Sequence, residues 1–252
     1  MNCQVLRNIY YPYQYDPYRA QPIEKTLIRK NYDILASFLK LDKVKSELIK
    51  IKELEKKYLD YGSGSGRHLN HIRELYPKWK LYGFDKSKFA KENLKKNNFE
   101  CIEDIEEIPD NFFDVINLSS VIEHLEFPEK TIQLLNKKLI KGGLIIIKTP
   151  NWSSLARILF KKSWVHYDIP RHIYVFSSKN LKKLLIDKNF RILRTSYSKN
   201  LSVELKSFYR LFNIQKRPRL HKLFLKLLSP LGLLLNFTSM SSTVTVIGKK
   251  ND

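Results

Sequence analysis

The chain has 252 residues, 43% of them hydrophobic, which suits one large domain or a domain with an appendage. Its formal charge of +21 at pH 7 fits an anionic partner such as nucleic acid, an acidic membrane surface or an acidic substrate, although Lys far outnumbers Arg and is the weaker residue for planar, bidentate recognition. Two cysteines, Cys3 and Cys101, argue against a disulfide framework or a zinc cluster; the opening MNCQVLRNIYYPYQY has no apolar signal core, and no run is long and apolar enough to span a bilayer.

Residues 1–22 are tyrosine-rich. Tyr10, Tyr11, Tyr13, Tyr15 and Tyr18 lie among Pro12 and Pro17, a composition that favours extended or turning backbone. Residues 23–55 read as helical, with Leu27, Ile34, Leu35, Phe38 and Leu39 on one face and lysines on the other. We expect residues 1–55 to form an arm and helix that serve as a lid or a docked cap, and residues 56–252 to form the main domain.

That domain opens on Tyr58-Leu-Asp-Tyr-Gly-Ser-Gly-Ser-Gly-Arg-His-Leu69. Leu59 and Tyr61 have strand character. Gly62, Gly64 and Gly66 then alternate, and Leu69, Ile72 and Leu75 recur at helical spacing. Glycines are needed where backbone turns sharply and lets a ligand come close. A helix N-terminus beyond such a turn offers free N–H donors. The dinucleotide pattern G-x-G-x-x-G fails because Arg67 stands where its last glycine would be. The phosphate pattern G-x-x-x-x-G-K-[ST] also fails, since no Gly-Lys-Ser/Thr follows Gly62. What remains is D-x-G-x-G-x-G.

The second strand, Trp79-Lys-Leu-Tyr-Gly-Phe-Asp85, ends in an acid nineteen residues after Gly66. That is near the spacing at which such folds bind ribose hydroxyls through a carboxylate, and one carboxylate accepts both O–H bonds. Asp85 could equally cap a helix starting near Lys86, and the two roles are compatible.

Together these residues resemble the first motifs of the Rossmann-like (class I) S-adenosylmethionine-dependent methyltransferases. The resemblance implies that Asp60, Gly62, Ser63, Gly64 and Gly66 hold the methionine end. That ligand has no phosphate, and its ammonium and sulfonium charges favour a carboxylate such as Asp60. Asp85 would take the ribose.

Lys86–Lys96 is an expected helix and Phe99–Glu103 a short third strand, followed by Asp104-Ile-Glu-Glu-Ile-Pro109. In the family, an acid five positions before such a proline accepts the adenine amino group, so the resemblance points to Asp104; the alternative is a solvated acidic turn. Phe112–Leu118 is a fourth strand after the Pro109-Asp-Asn turn. It leads into Ser119-Ser-Val-Ile-Glu-His-Leu125. An F-D-V strand followed by E-H-L resembles the ubiquinone-methyltransferase-like branch, which places Ser119 beside the cofactor and His124 beside the acceptor. Some members of that branch bind a divalent metal through an acid three residues before Glu-His. Here that position is Ser120, and Glu123 with His124 is an incomplete ligand set, so no metal is expected. The amino-methylating Asn/Asp-Pro-Pro-Tyr motif is missing.

Residues 129–140 read as a helix ended by Gly142-Gly143, and Leu144–Lys148 as a continuous apolar parallel strand. The loop beyond it holds Trp164, His166, Asp168, Arg171, His172 and Tyr174. A similar H-x-D-x-P-R-H stretch occurs in methyltransferases associated with cell-surface glycan modification. His172 and His166 are candidate bases for a hydroxyl acceptor, with Trp164, Asp168, Arg171 and Tyr174 as candidate acceptor contacts. The structural alternative pairs Asp168 with Arg171 and lets the histidines bond the loop backbone.

A helix over 178–188 follows. Phe190–Ser196 and Thr243–Gly248 then match the closing antiparallel strands of this family's sheet. Between them, about 200–239 is an insertion. From Lys199 to Lys226 it carries eight Lys/Arg and one acid, Glu204, before an apolar run broken by Lys226 and Pro230. Such a segment suits a peripheral membrane contact, a cap over the acceptor or a protein contact.

Alternating strands and helices predict an α/β, doubly wound, mostly parallel seven-stranded sheet with helices on both faces. The N-terminal helical extension and the helical insertion before the last strand add to it. The resemblance implies an S-adenosylmethionine-dependent methyltransferase (EC 2.1.1.-) in the cytoplasm. Its expected acceptor is small or lipid-linked, such as a sugar hydroxyl. A nucleic-acid methyltransferase and a non-catalytic cofactor-binding partner protein are the alternatives.

Overall fold

The computed structural model describes residues 54–198, 201–214, 223–224 and 226–252. The tyrosine-rich arm and nearly all of the helix expected over 23–55 lie outside them, as does part of the 200–239 insertion.

Seven strands form one mixed sheet in the order β3-β2-β1-β4-β5-β7-β6. The chain runs β1 (Lys57–Tyr61), α1 (Arg67–Leu75), β2 (Lys80–Phe84), α2 (Lys88–Lys96), β3 (Glu100–Ile102) and β4 (Phe113–Ser119). After a 3-10 turn at Ile122–His124 come α3 (Pro128–Lys138), β5 (Leu139–Pro150), α4 (Leu155–Phe160), α5 (Ser178–Asp187) and β6 (Phe190–Tyr197). The described chain closes with α6 (Ser202–Leu211), α7 (Ser229–Phe237) and β7 (Thr243–Lys250).

Two compact units divide this order. The first takes the described chain through Asn117 together with Lys137–Ile145. In it β1 pairs in parallel with both β2 and β4, and β2 pairs in parallel with β3. Parallel strands need helical crossovers, and α1 and α2 provide them. Each buries only a narrow stripe, Leu69 with Ile72 and Ala90 with Leu94, beneath otherwise polar faces. Gly83 on β2 is required by that packing, because a Cβ there would sit 2.4 Å from Leu94 Cδ2. Leu59 and Ile116 are fully buried on the central strands. Asp114, the acid of the F-D-V strand, serves structure: it accepts from Lys56 Nζ at 2.6 Å and from the Lys57 N–H at 2.9 Å. Lys138 Nζ ties the acidic turn after β3 by donating to the carbonyls of Glu106 and Ile108 and to Asp110.

The second unit comprises Leu118–Asn136 and Ile146–Asn251. Its β6 and β7 pair antiparallel, Phe190 opposite Lys250 and Tyr197 opposite Val244, the closing pair expected from the sequence. Leu181 and Leu185 of α5 are buried, and Ser177 caps that helix by accepting from the Asn180 N–H at 3.1 Å. In the insertion, Glu204 on α6 accepts from both the N–H and the hydroxyl of Ser242.

Two boundaries differ from the sequence expectation. The helix before β5 stops at Lys138, not at Gly142-Gly143, and Leu139–Pro150 continues as one strand with Gly142 at φ 70. The glycine pair therefore serves close packing: a Cβ on Gly143 would lie 2.9 Å from the Ile140 carbonyl oxygen and 3.2 Å from that of Asp114. Secondly, α2 begins at Lys88 with Ser87 as its N-cap, so Asp85 is left outside the helix.

Candidate active site

The first unit gathers the glycine turn and two buried acids. Gly62, Gly64 and Gly66 all take positive φ, at 79, 54 and 72, a region that disfavours other side chains. The turn is tied to the end of β2, because the N–H groups of Gly62 and Ser63 donate to the Phe84 carbonyl at 2.7 and 3.1 Å. Asp85 completes the tie, its Oδ2 accepting from the Gly64 N–H at 2.9 Å and its Oδ1 from the Ser87 N–H at 2.8 Å. Burial raises the pKa of Asp85, against the lowering effect of those two N–H groups, and the Asp60 charge adds to the rise.

Asp60, the penultimate residue of β1, is almost fully buried. Asn117 of β4, which the sequence reading did not single out, donates to its Oδ1 at 2.8 Å. Burial again pushes the carboxyl pKa up, partly offset by His68 and Asn117. The Ser63 hydroxyl is buried with no hydrogen-bond partner among the described residues. Two desolvated carboxylates and an orphaned hydroxyl beside a glycine turn fit a ligand that carries positive charge and hydroxyl groups. S-adenosylmethionine has both. Asp104 is exposed, and its Oδ1 accepts from the Glu106 N–H at 2.8 Å.

The second unit holds most of the candidate acceptor residues; Ser119 also falls in it, half-buried at the end of β4. Glu123, His124 and His172 are drawn together, their ligand-type atoms lying within 4.8 Å of one another. Glu123 is buried, and Thr149 Oγ1 donates to its Oε2 at 3.0 Å. Burial raises its pKa to about 7, against the Thr149 bond and the Lys148 charge. The Glu123 carbonyl accepts from the N–H groups of Ile173 and Tyr174 at 2.9 and 3.2 Å, which fastens the 171–174 loop over it.

Each histidine of the cluster is oriented through Nδ1, which lies 2.8 Å from the Arg171 carbonyl for His124 and 2.7 Å from the His166 carbonyl for His172. A carbonyl only accepts, so Nδ1 carries the proton and, in the neutral ring, Nε2 keeps its lone pair. Burial lowers the pKa of both, which favours that neutral form. His172 also lines a cavity of about 380 Å³ with Trp152, His166, Tyr167, Ile173 and Asn180, within the usual range for a metabolite site.

Asp168 and Arg171 form an ion pair, so the structural alternative holds for these two. His166 is pushed down to about 4, chiefly by burial and then by His172 and nearby lysines, and its Nε2 is buried without a partner. That makes it a poor proton acceptor at neutral pH. Trp164, expected as an acceptor contact, is fully buried and packs edge-on against His166 and Tyr167. Tyr174 is exposed, and its hydroxyl donates to the Glu126 carbonyl at 3.3 Å.

The sheet order and the glycine cradle define a class I S-adenosylmethionine-dependent methyltransferase. A family model described as a methyltransferase domain matches residues 33–195, and the chain belongs to that family. Three solved structures share the fold at low identity. A methyltransferase from Archaeoglobus fulgidus is 18% identical at TM-score 0.56, with 90% of this chain and 100% of that chain covered. A protein titled as a putative sarcosine dimethylglycine methyltransferase from Galdieria sulphuraria is 15% identical at 0.58, covering 99% of each. Magnesium protoporphyrin IX methyltransferase from Synechocystis PCC 6803, solved with bound SAH, is 14% identical at 0.60, covering 99% and 100%. No curated protein sequence matches the chain.

Proposed function

We propose that the chain methylates a hydroxyl on a small or lipid-linked acceptor, such as a sugar or glycan precursor, in the cytoplasm. The observation that supports this reading is the Glu123–His124–His172 cluster, whose His172 also lines the 380 Å³ cavity. A hydroxyl needs help to lose its proton, and a neutral imidazole beside a carboxylate offers it.

When bound, S-adenosylmethionine supplies an electrophilic methyl on a positively charged sulfur. In this reading Gly62, Ser63, Gly64 and Gly66 bring backbone and hydroxyl donors close to the methionine end. Asp60 would place a negative charge toward the cationic groups, Asp85 would accept from the ribose hydroxyls, Asp104 would accept from the adenine amino group, and Ser119 would border the cofactor. His172 Nε2 would accept the proton of the acceptor hydroxyl. His124 and Tyr174 position the acceptor, and the Asp168–Arg171 pair stiffens the loop.

The test is incubation with methyl-labelled cofactor and panels of sugar, lipid-linked, phenolic and amine acceptors, followed by mass analysis of the product. An O-methylated sugar or lipid-linked product is expected. Label recovered on RNA or DNA, or on nitrogen, would overturn the reading; cofactor binding with no turnover on any pool would favour the non-catalytic partner protein.

A membrane-facing role for the insertion has one specific support. Phe212, Leu227, Leu234 and Phe237 are exposed, as are Arg210 and Lys226, a composition that suits an anionic lipid surface. No helix among the described residues is long and apolar enough to cross a membrane. Co-sedimentation with phosphatidylglycerol vesicles, lost in F237S/L227S, is the expected result.

A further inference from the structure

We propose that Glu123, His124 and His172 bind a divalent first-row transition-metal ion. The ligand set differs from the one the branch resemblance would imply, which needs an acid at position 120. This chain has Ser120 there, at φ 58 and with its N–H donated to the Lys148 carbonyl. The third ligand is instead a histidine from the loop beyond β5, and only the folded structure brings it to the Glu-His pair.

Three features carry the inference. The first is the donor set: two imidazoles and one carboxylate, with ligand atoms within 4.8 Å of one another. Bonds of about 2.0–2.2 Å to such donors require them to close in by roughly an ångström, and the mixture of nitrogen and oxygen suits Zn²⁺, Fe²⁺, Co²⁺ or Mn²⁺ over Mg²⁺ or Ca²⁺.

The second is orientation. Metal-bound histidines usually donate their other ring N–H to a carbonyl or carboxylate, which fixes the tautomer. Both histidines do so here, His124 to Arg171 and His172 to His166. Glu123 is held likewise by Thr149 Oγ1. The supports come from different parts of the chain and converge on the same three side chains.

The third is charge. Glu123 is 1% exposed, and a carboxylate so buried calls for a cation. Lys148 lies near enough to act on its charge but makes no ion pair with it among the described residues. An ion bonded to Glu123 supplies the missing charge.

Three protein ligands leave coordination positions open. There the ion polarises an acceptor oxygen and lowers the pKa of its hydroxyl. The inference rests on the proposed function for the identity of the acceptor and replaces one role in it, that of His172 as base, while the binding itself rests on the donor set, its orientation and the burial of Glu123. In the loaded protein His172 is a ligand, and the released proton passes to water or to a neighbouring base.

The experiment uses untagged full-length protein stripped with chelator and titrated with Co²⁺, read by visible absorption and calorimetry, with Zn²⁺ as competitor. One equivalent is expected. H124Q and H172Q should each weaken binding at least roughly tenfold, while H71A, on α1, leaves it unchanged. Melting curves of the variants show whether each is folded, and E123Q provides a further variant with the same side-chain shape. Absence of stoichiometric Co²⁺ binding, or binding insensitive to both histidine variants, overturns the inference. Methyl transfer provides an independent readout. Loss of turnover on chelation with recovery on added ion supports the ion's role. Chelator-resistant turnover in protein shown to be metal-free overturns it and leaves His172 as the base, so the proposed function survives separately.

Discussion

The glycine turn and the Glu123–His172 cluster both present buried acids, yet they hold them in opposite ways. At the turn, the supports for Asp85 are backbone N–H groups, one from Gly64 and one two residues away at Ser87. Donors of that kind favour a carboxylate that stays charged. At the cluster, the supports around the histidines are carbonyls, which accept the Nδ1 hydrogen and fix the tautomer, while burial favours the neutral ring. The first arrangement suits binding a cation or a polyol. The second suits taking a proton or a metal ion. Binding and chemistry are therefore separated by the polarity of the backbone groups behind the side chains.

Asp85→Ala tests the binding side most severely. It removes the proposed ribose acceptor and strands the N–H groups of Gly64 and Ser87, at about 1–3 kcal/mol for each buried group left unsatisfied. We expect cofactor affinity to fall more than about a hundredfold by calorimetry, corresponding to roughly 2.7 kcal/mol, with a lower melting temperature. Unchanged affinity would defeat the ribose assignment. On the chemistry side, His172→Gln should lower kcat by about a hundredfold, within the span of general acid–base contributions, and leave the affinity for S-adenosylmethionine unaltered. A parallel loss of cofactor affinity would erase the separation drawn above.

How much of this was legible beforehand follows from the same contrast. The glycine turn was legible because its partners are close in sequence: positive-φ glycines, a strand, and an acid at a fixed spacing. The sheet order and the closing antiparallel pair followed from periodicity and from the family resemblance. Asn117 was missed because it contributes to Asp60 from β4, and nothing in a strand-end Asn marks such a bond. The sequence does not join His172 to Glu123 and His124, because His172 reaches them through the fold, from a loop whose path sequence does not give. The burial of Trp164 was illegible for a related reason, since an aromatic beside histidines reads alike whether it lines a cavity or supports one. The Gly142-Gly143 pair imitated a helix end, while the close approach of Asp114 and Ile140 is the constraint it answers.

Asp60→Asn sharpens the role of charge within the binding side. The amide keeps an oxygen that can accept from Asn117, so the main change is the lost charge. If Asp60 faces the sulfonium, affinity for S-adenosylmethionine should fall roughly tenfold, about 1.4 kcal/mol, and affinity for the demethylated product, whose sulfur is neutral, should fall less. Equal losses measured by competition calorimetry would place the carboxylate at the ammonium alone.

Glu204 is the control that both regions lack: a half-buried acid with no assigned chemistry. Its Oε1 is satisfied twice by Ser242, while its Oε2 is buried without a partner among the described residues. Burial raises its pKa, opposed by the Ser242 bonds. A carboxyl whose folded pKa lies above its unfolded value costs no stability at low pH, where both states are protonated. The cost appears as pH rises past the unfolded pKa, because the unfolded chain ionises first. Glu204→Gln removes that cost and keeps an acceptor for Ser242. Its melting temperature should therefore exceed that of the wild type at pH 7.5 by a few degrees, roughly 2–4 °C per kcal/mol in a chain of this size, and the gap should narrow toward pH 4.5. Asp60→Asn should show the same pH-dependent stabilisation, since burial raises that pKa too, but at the expense of binding. If Glu204→Gln stabilises without touching turnover while Asp60→Asn stabilises and weakens the cofactor, the desolvated charge at Asp60 is kept for its ligand, as in other sites where function is retained against stability. A Glu204→Gln variant that loses activity would instead make the insertion helix part of the catalytic machinery.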